Sequence, residues 1–184
     1  GLRDLGRARV FGSPTAGGAN FGSGSRQSPT PLPQVLNFNV SKAWVYQRWD
    51  RKTTALSELD LYGVRVPLVT GTSLGDVAGS LTYYFDDQGL VQRIALVGRT
   101  GNTTQLEQIV TQQFGLQRQA TPIAGQRLYQ LKSGEKVFGE LRLRPAPVMM
   151  SDEPFDSFVI DLQLQRPGSS VPLPKQQLAT RTVL

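Results

Sequence analysis

The sequence predicts an α+β domain with two layers. An antiparallel sheet of about six strands carries two main helices on one face, in the order α-β-β-β-α-β-β-β. Three observations predict it. Several short runs alternate apolar and polar residues with period two. Two runs place apolar residues at helical spacing behind an N-terminal capping pattern. Turn residues rich in Gly, Asp and Ser separate the alternating runs.

The first helix is expected over Lys42–Trp49. Ser41 is its N-cap, Val40 and Val45 form a hydrophobic staple, and Val45 and Trp49 share one face. Ala55, Leu56 and Leu59 are expected to add a short second helical turn. The first strand, 61–69, alternates Val64, Val66 and Leu68. Pro67 lacks the N–H that a central ladder needs, so this strand is read as an edge or a bulged strand. The second, 80–85, alternates Leu81, Tyr83 and Phe85. It turns through Asp86-Asp-Gln-Gly89 into a third, 90–97, with Leu90, Ile94 and Leu96 on one face. In the second helix Thr104-Gln-Leu-Glu107 spells a capping box. Leu106, Ile109, Val110 and Phe114 follow at helical spacing, and Gly115 stops it. Strands 128–132, 135–144 and 157–165 complete the pattern. The last points Phe158, Ile160, Leu162 and Leu164 inward, with Asp161, Gln163 and Gln165 outward. The two halves repeat one layout, and Gly79-Ser-Leu81 matches Gly139-Glu-Leu141.

The domain is expected over residues 35–166. A Gly/Ser/Pro-rich basic linker, 1–34, precedes it and a Pro-containing tail, 167–184, follows. The chain has 184 residues and a formal charge of +6, and most of that charge lies in the flanks. Residues 1–34 set Arg3, Arg7, Arg9 and Arg26 against Asp4. The tail carries Lys175 and Arg181 and no acid. The domain between them is almost neutral. Basic flanks attract anionic surfaces, which supports nucleic-acid or other polyanion binding as the alternative function.

Cys and His are both absent. A structural zinc site, an iron–sulfur cluster, a His-ligated haem and imidazole catalysis are therefore excluded. No run of 18 or more apolar residues offers a membrane span. No catalytic, cofactor-binding or metal-ligating residue is assigned, and no cofactor is expected. An enzyme built on carboxylates would need a concave site with perturbed titratable groups.

The remaining candidates are surfaces. Trp44, Tyr46, Arg48, Trp49, Arg51 and Lys52 interleave aromatic and basic residues as nucleic-acid binders do, but Trp49 also fits the apolar face of its helix. Asp86 and Asp87 read as turn residues, and Asp152, Glu153 and Asp156 as loop residues. Lys136, Glu140, Arg142 and Arg144 form an outward row that Glu140 and Asp161 are expected to balance. Pro31-Leu-Pro33 and Pro172-Leu-Pro174 are short polyproline segments. The loop Pro145–Phe155 is long for a hairpin connection and carries Val148, Met149, Met150 and Phe155. These four are the candidate partner-binding residues.

The polar tether, the small α+β domain and the hairpin Ser80-Leu-Thr-Tyr-Tyr-Phe-Asp-Asp-Gln-Gly89 resemble uncharacterised domains of bacterial envelope or exported proteins. The hairpin is also similar to those of small outer-membrane assembly lipoproteins and of secreted inhibitor domains of two-layer α/β type. The chain departs from these families by interposing a full helix and three further strands, and no functional residue is carried over. The resemblance implies an envelope, periplasmic or secreted setting, with a signal or anchor upstream of Gly1. The expected function is a non-catalytic protein-interaction or scaffold domain. Its partner would meet the 145–155 loop or the edge strand 61–69.

Overall fold

In the computed structural model of the chain, residues 29–56, 61–147 and 157–174 are described. They form three helices: α1 (Leu32–Val35), α2 (Lys42–Arg48) and α3 (Thr104–Gln112). They form eight strands: β1 (Thr53–Leu56), β2 (Tyr62–Val69), β3 (Ala78–Phe85), β4 (Val91–Thr100), β5 (Gln117–Gln119), β6 (Arg127–Ser133), β7 (Lys136–Pro145) and β8 (Phe158–Gln165). All pair antiparallel in one sheet of order β1-β2-β3-β4-β8-β7-β6-β5.

The α+β, antiparallel, single-domain character stands, but the element count is corrected. The chain has eight strands and three helices among the described residues, where six and two were expected. The expected order omitted α1, β1 and β5. Ala55 and Leu56, expected in a short helical turn with Leu59, instead belong to Thr53–Leu56, which pairs with Tyr62–Arg65 as a strand. Its Thr-Thr start favours extended backbone, and the open edge of β2 supplies the ladder. Strand β5 is Gln-Arg-Gln and has no apolar alternation to reveal it.

The sheet reads the same from either edge. In each half a helix, α2 or α3, is followed by four strands in meander, α1 precedes the first half, and β4 meets β8 in the middle. One inward row runs Val66, Leu81, Leu96, Leu162, Leu141, Tyr129 across six strands. Reversal about the β4–β8 boundary exchanges Leu81 with Leu141 and Leu96 with Leu162. It also places Gly79 and Gly139 at equivalent positions, as their sequence match suggested. The flanking row Leu68, Gly79, Gly98, Ile160, Leu143 explains one of these glycines. A Cβ on Gly79 would lie 2.2 Å from the Val97 carbonyl oxygen, and one on Gly98 would lie 2.7 Å from that of Ala78. Only glycine lets these two backbones pair so closely.

The helices cover one face. Val45, Leu106 and Val110 are buried against inward sheet residues. The Tyr83 hydroxyl donates to the Val35 carbonyl at 2.7 Å, and Trp49 packs on the Tyr83 ring. α1 fills the layer beside α2, with Leu32, Val35 and Leu36 buried. Pro31 caps α1 and Pro33 lies in its first turn, where a missing N–H costs no helical bond. Residues 29–34 of the stretch read as linker therefore pack with the domain. So do residues 167–174 of the stretch read as tail: the Leu173 N–H donates to the Val137 carbonyl at 2.7 Å.

Two local expectations change. Ser41 caps α2 as expected, accepting the Trp44 N–H at 3.1 Å. The capping box of α3 does not form. Asn102 Oδ1 accepts the Thr104 N–H at 2.9 Å, while the Glu107 side chain turns to Arg127 and Tyr129 of β6. A register shift after Tyr84 pairs Phe85 with Val91, so Val91 is buried and Leu90 is half exposed at the turn.

Candidate interaction surface

The face of the sheet turned away from the helices is not layered by any described helix. Its side chains follow from register. Val69 of β2 stands opposite Ala78 of β3, Ala78 opposite Arg99 of β4, Arg99 opposite Val159 of β8, and Val159 opposite Arg144 of β7. The adjacent row is Pro67, Ser80, Val97, Asp161, Arg142. Val97 is therefore the diagonal neighbour of both Ala78 and Val159. Val69, Ala78, Val97 and Val159 form an apolar stripe across four neighbouring strands. Val69 is 60% exposed and Val97 57%. Arg99, Arg142 and Arg144 border the stripe, and Arg65 lies on the same face. Asp161 and Glu140 are the acids of these strands' outer face, so arginine predominates.

Most of the other candidate residues hold the fold. Trp49 is in the core, and Trp44 packs edge-on against it at 5.4 Å between centroids. Arg48 Nε donates to Thr30 at 2.8 Å. Lys52 donates to the Trp49 carbonyl at 3.1 Å, and Lys42 lies over the Tyr62 ring. The aromatic-basic stretch is thus spent on joining α2 to its neighbours. At this corner the Tyr46 and Tyr62 hydroxyls stand 3.4 Å apart. Hydrogen bonds from Tyr46 and then Thr54, with the Lys42 charge, hold the Tyr62 hydroxyl below the ordinary phenol range. The same bond raises Tyr46.

Asp86 closes its turn as expected, accepting the Leu90 N–H at 2.8 Å. Desolvation pushes its carboxyl up, but bonds from Leu90, Gln92 and Gln88 and the Arg166 charge outweigh that and lower it. Among the described residues no three His, Cys, Asp or Glu stand close enough to share a metal ion. In the outward row, Arg142 pairs with Glu140 at 2.6 Å along the strand and stands opposite Asp161. Nearer β3, Arg93 lies over the Tyr84 ring at 4.1 Å and opposite Gln165. Arg93 Nε and Gln165 Oε1 are both buried without a hydrogen-bond partner.

Two serine motif spellings escaped the sequence reading, Gly71-Thr-Ser73-Leu-Gly75 and Ser133-Gly-Glu-Lys136. Neither has the setting its chemistry needs. The first lies in the β2–β3 hairpin loop, where Asp76 accepts the Ser73 N–H at 2.7 Å, and not at a strand-to-helix turn. The second spans the β6–β7 turn with both side chains exposed.

Val148, Met149, Met150 and Phe155 lie outside the described residues. So do Asp152, Glu153 and Asp156. The loop's base is closed where the Ala146 N–H donates to Ser157 O at 2.9 Å. Strand 61–69, expected at the edge, is the second strand in, because β1 covers Tyr62–Arg65. Among the described strands none pairs with Val66–Val69 on that side. The Thr70 N–H donates to Val77 O, on the β3 side. Alternation then turns the Pro67 nitrogen toward the open side. Pro67 keeps every ladder bond to β3 and removes one donor from the exposed edge.

A family model described as a family of unknown function, DUF6690, matches residues 12–182. The chain belongs to that family. No curated protein and no solved structure matches it. The DUF6690 match extends past Gln165, the last residue of β8, and so takes in the segment that packs on Val137.

Proposed function

We propose that this DUF6690 domain is a non-catalytic protein-interaction module. Its partner seats an apolar, acid-bearing surface on the stripe Val69, Ala78, Val97 and Val159. One observation carries the reading: two valines more than half exposed lie, inside a border of arginines, on a sheet face that none of the described helices covers. Scattered exposed valines need no explanation, whereas a stripe spanning four strands is unusual on a surface that meets only water. The arginine border supplies complementarity and orientation to an acidic partner. The envelope setting is part of the same proposal and rests on the tether and hairpin resemblance.

The test is site-specific photocrosslinking of the full chain in its own cells. A crosslinker at Val97 is expected to trap a discrete protein, and one at Gln108 on the exposed side of α3 is not. Excess purified wild-type protein should suppress the adduct and Val97→Asp protein should not. No adduct, or equal adducts from both positions, overturns the reading. An adduct with nucleic acid, lost steeply with added salt, would install the polyanion alternative instead.

A further inference from the structure

Beyond β8 the chain doubles back and lies down as an extended segment. The Arg166 N–H donates to Gln92 O at 2.8 Å, and Gly168, at φ 83°, reverses the direction. Val171–Pro174 then runs beside β7. Val137 lies past the Gly139–Leu164 end of the β7–β8 ladder, so its carbonyl is open on that side. Leu173 supplies the N–H that fills it, at 2.7 Å. Gln165 Nε2 donates to the carbonyls of Val171 at 3.0 Å and Pro172 at 3.3 Å.

The match between segment and groove is chemical. In Pro172-Leu-Pro174 only Leu173 has a main-chain N–H, and the groove presents one carbonyl to it. The prolines fix an extended backbone in advance, so little chain entropy is lost on docking. Beside the segment a cavity of about 400 Å³ stays open, lined by Val137, Glu140, Arg142, Gln163 and Leu173.

We propose that this groove is a docking site for an extended Pro-Leu-Pro segment of a partner protein. Val171–Pro174 is its resident occupant, and the partner displaces it. The proposal rests on the reading of the domain as a protein-interaction module and names one chemistry that a partner would carry. Pro31-Leu-Pro33, the chain's other such segment, is built into α1 and does not compete for the groove.

The test uses the full chain and a fluorescent peptide copying residues 169–177. Wild-type protein, with its groove filled, is expected to bind the peptide weakly. Leu173→Asp protein, with the segment released, is expected to bind it saturably and about tenfold more tightly, because the competent fraction rises. A peptide carrying the same Leu-to-Asp change should bind neither. Hydrogen exchange on wild-type protein gives a second readout that needs no variant. The Leu173 N–H is expected to be protected and to exchange faster as peptide is added. Equal affinity for the two proteins, equal binding of the two peptides, or Leu173 exchange unmoved by saturating peptide overturns the proposal. The Val97 crosslink reports separately on the interaction reading, so either can fail alone.

Discussion

Leu96 of β4 stands directly opposite Leu162 of β8, and this pair joins the two halves of the sheet. Both side chains are fully buried. Leu81 and Leu141 flank them at equivalent positions on either side. Either Leu96→Ala or Leu162→Ala is expected to cost about 2–5 kcal/mol, from lost burial plus the cavity left behind. The double variant should depart from additivity by about 0.5–3 kcal/mol, because the two residues share one cavity. Urea unfolding of the four proteins measures both quantities. Strict additivity would mean that the halves do not pack through this pair.

Gly79 of β3 and Gly98 of β4 face each other with no room for a Cβ on either. An added Cβ at either position meets backbone, which cannot swing away as a flexible side chain can. Gly79→Ala and Gly98→Ala are each expected to lower the melting temperature by several degrees, a loss on the order of 1–3 kcal/mol. Gly89→Ala is the control for conformational strain alone, since it has a positive φ and open space around it. If Gly98→Ala melts with the wild type, the close approach is not a constraint.

Tyr83 ties the sheet to α1 and makes stability sensitive to alkali. Burial raises its hydroxyl far above the ordinary phenol value. The folded value exceeds the unfolded one, so the associated stability is fully present below about pH 10. It is lost as pH rises further, because only the unfolded chain can ionise there. Tyr83→Phe removes the bond to Val35 O and is expected to cost about 1–3 kcal/mol at neutral pH. The gap between the two proteins should narrow between about pH 10 and pH 12. A gap that stays constant across that range would rule out a raised Tyr83.

Pro67 lies at the end of β2 that no described strand pairs on the β1 side. Pro67→Thr restores an N–H facing the open side and suits strand geometry. The variant is expected to keep the fold and to self-associate more strongly than wild type, as sedimentation equilibrium would show. Unchanged association would mean that the edge is protected by something other than the missing donor.

The long, half-wet strands were legible in the sequence because each alternates over six or more residues against one apolar layer. Val64, Val66 and Leu68 in β2 and Ile160, Leu162 and Leu164 in β8 fall on the buried face as their period requires. The edge strands were not legible. Thr53–Leu56 and Gln117–Gln119 are short, and they become strands because β2 and β6 offer them partners. Glu107 misled for a similar reason. Its spacing spells a cap, but Arg127 and Tyr129, far along the chain, take its carboxylate. The exposed stripe was hidden as well. Val69 and Val97 are ordinary strand residues in sequence, and only register sets them side by side with Ala78 and Val159.

By itself the sequence determined that these 184 residues hold no Cys or His, the α+β class, the antiparallel pairing of neighbouring strands and the match of Gly79 with Gly139. These follow from composition and local period, which are properties of the chain read a few residues at a time. The tertiary structure decided that β4 pairs with β8 and that α1 belongs to the core. It also decided that Pro67 faces the open edge and that Pro172-Leu-Pro174 lies along β7. Each of these depends on residues distant in sequence meeting in a fixed register, and local physics does not specify register across a gap of that length.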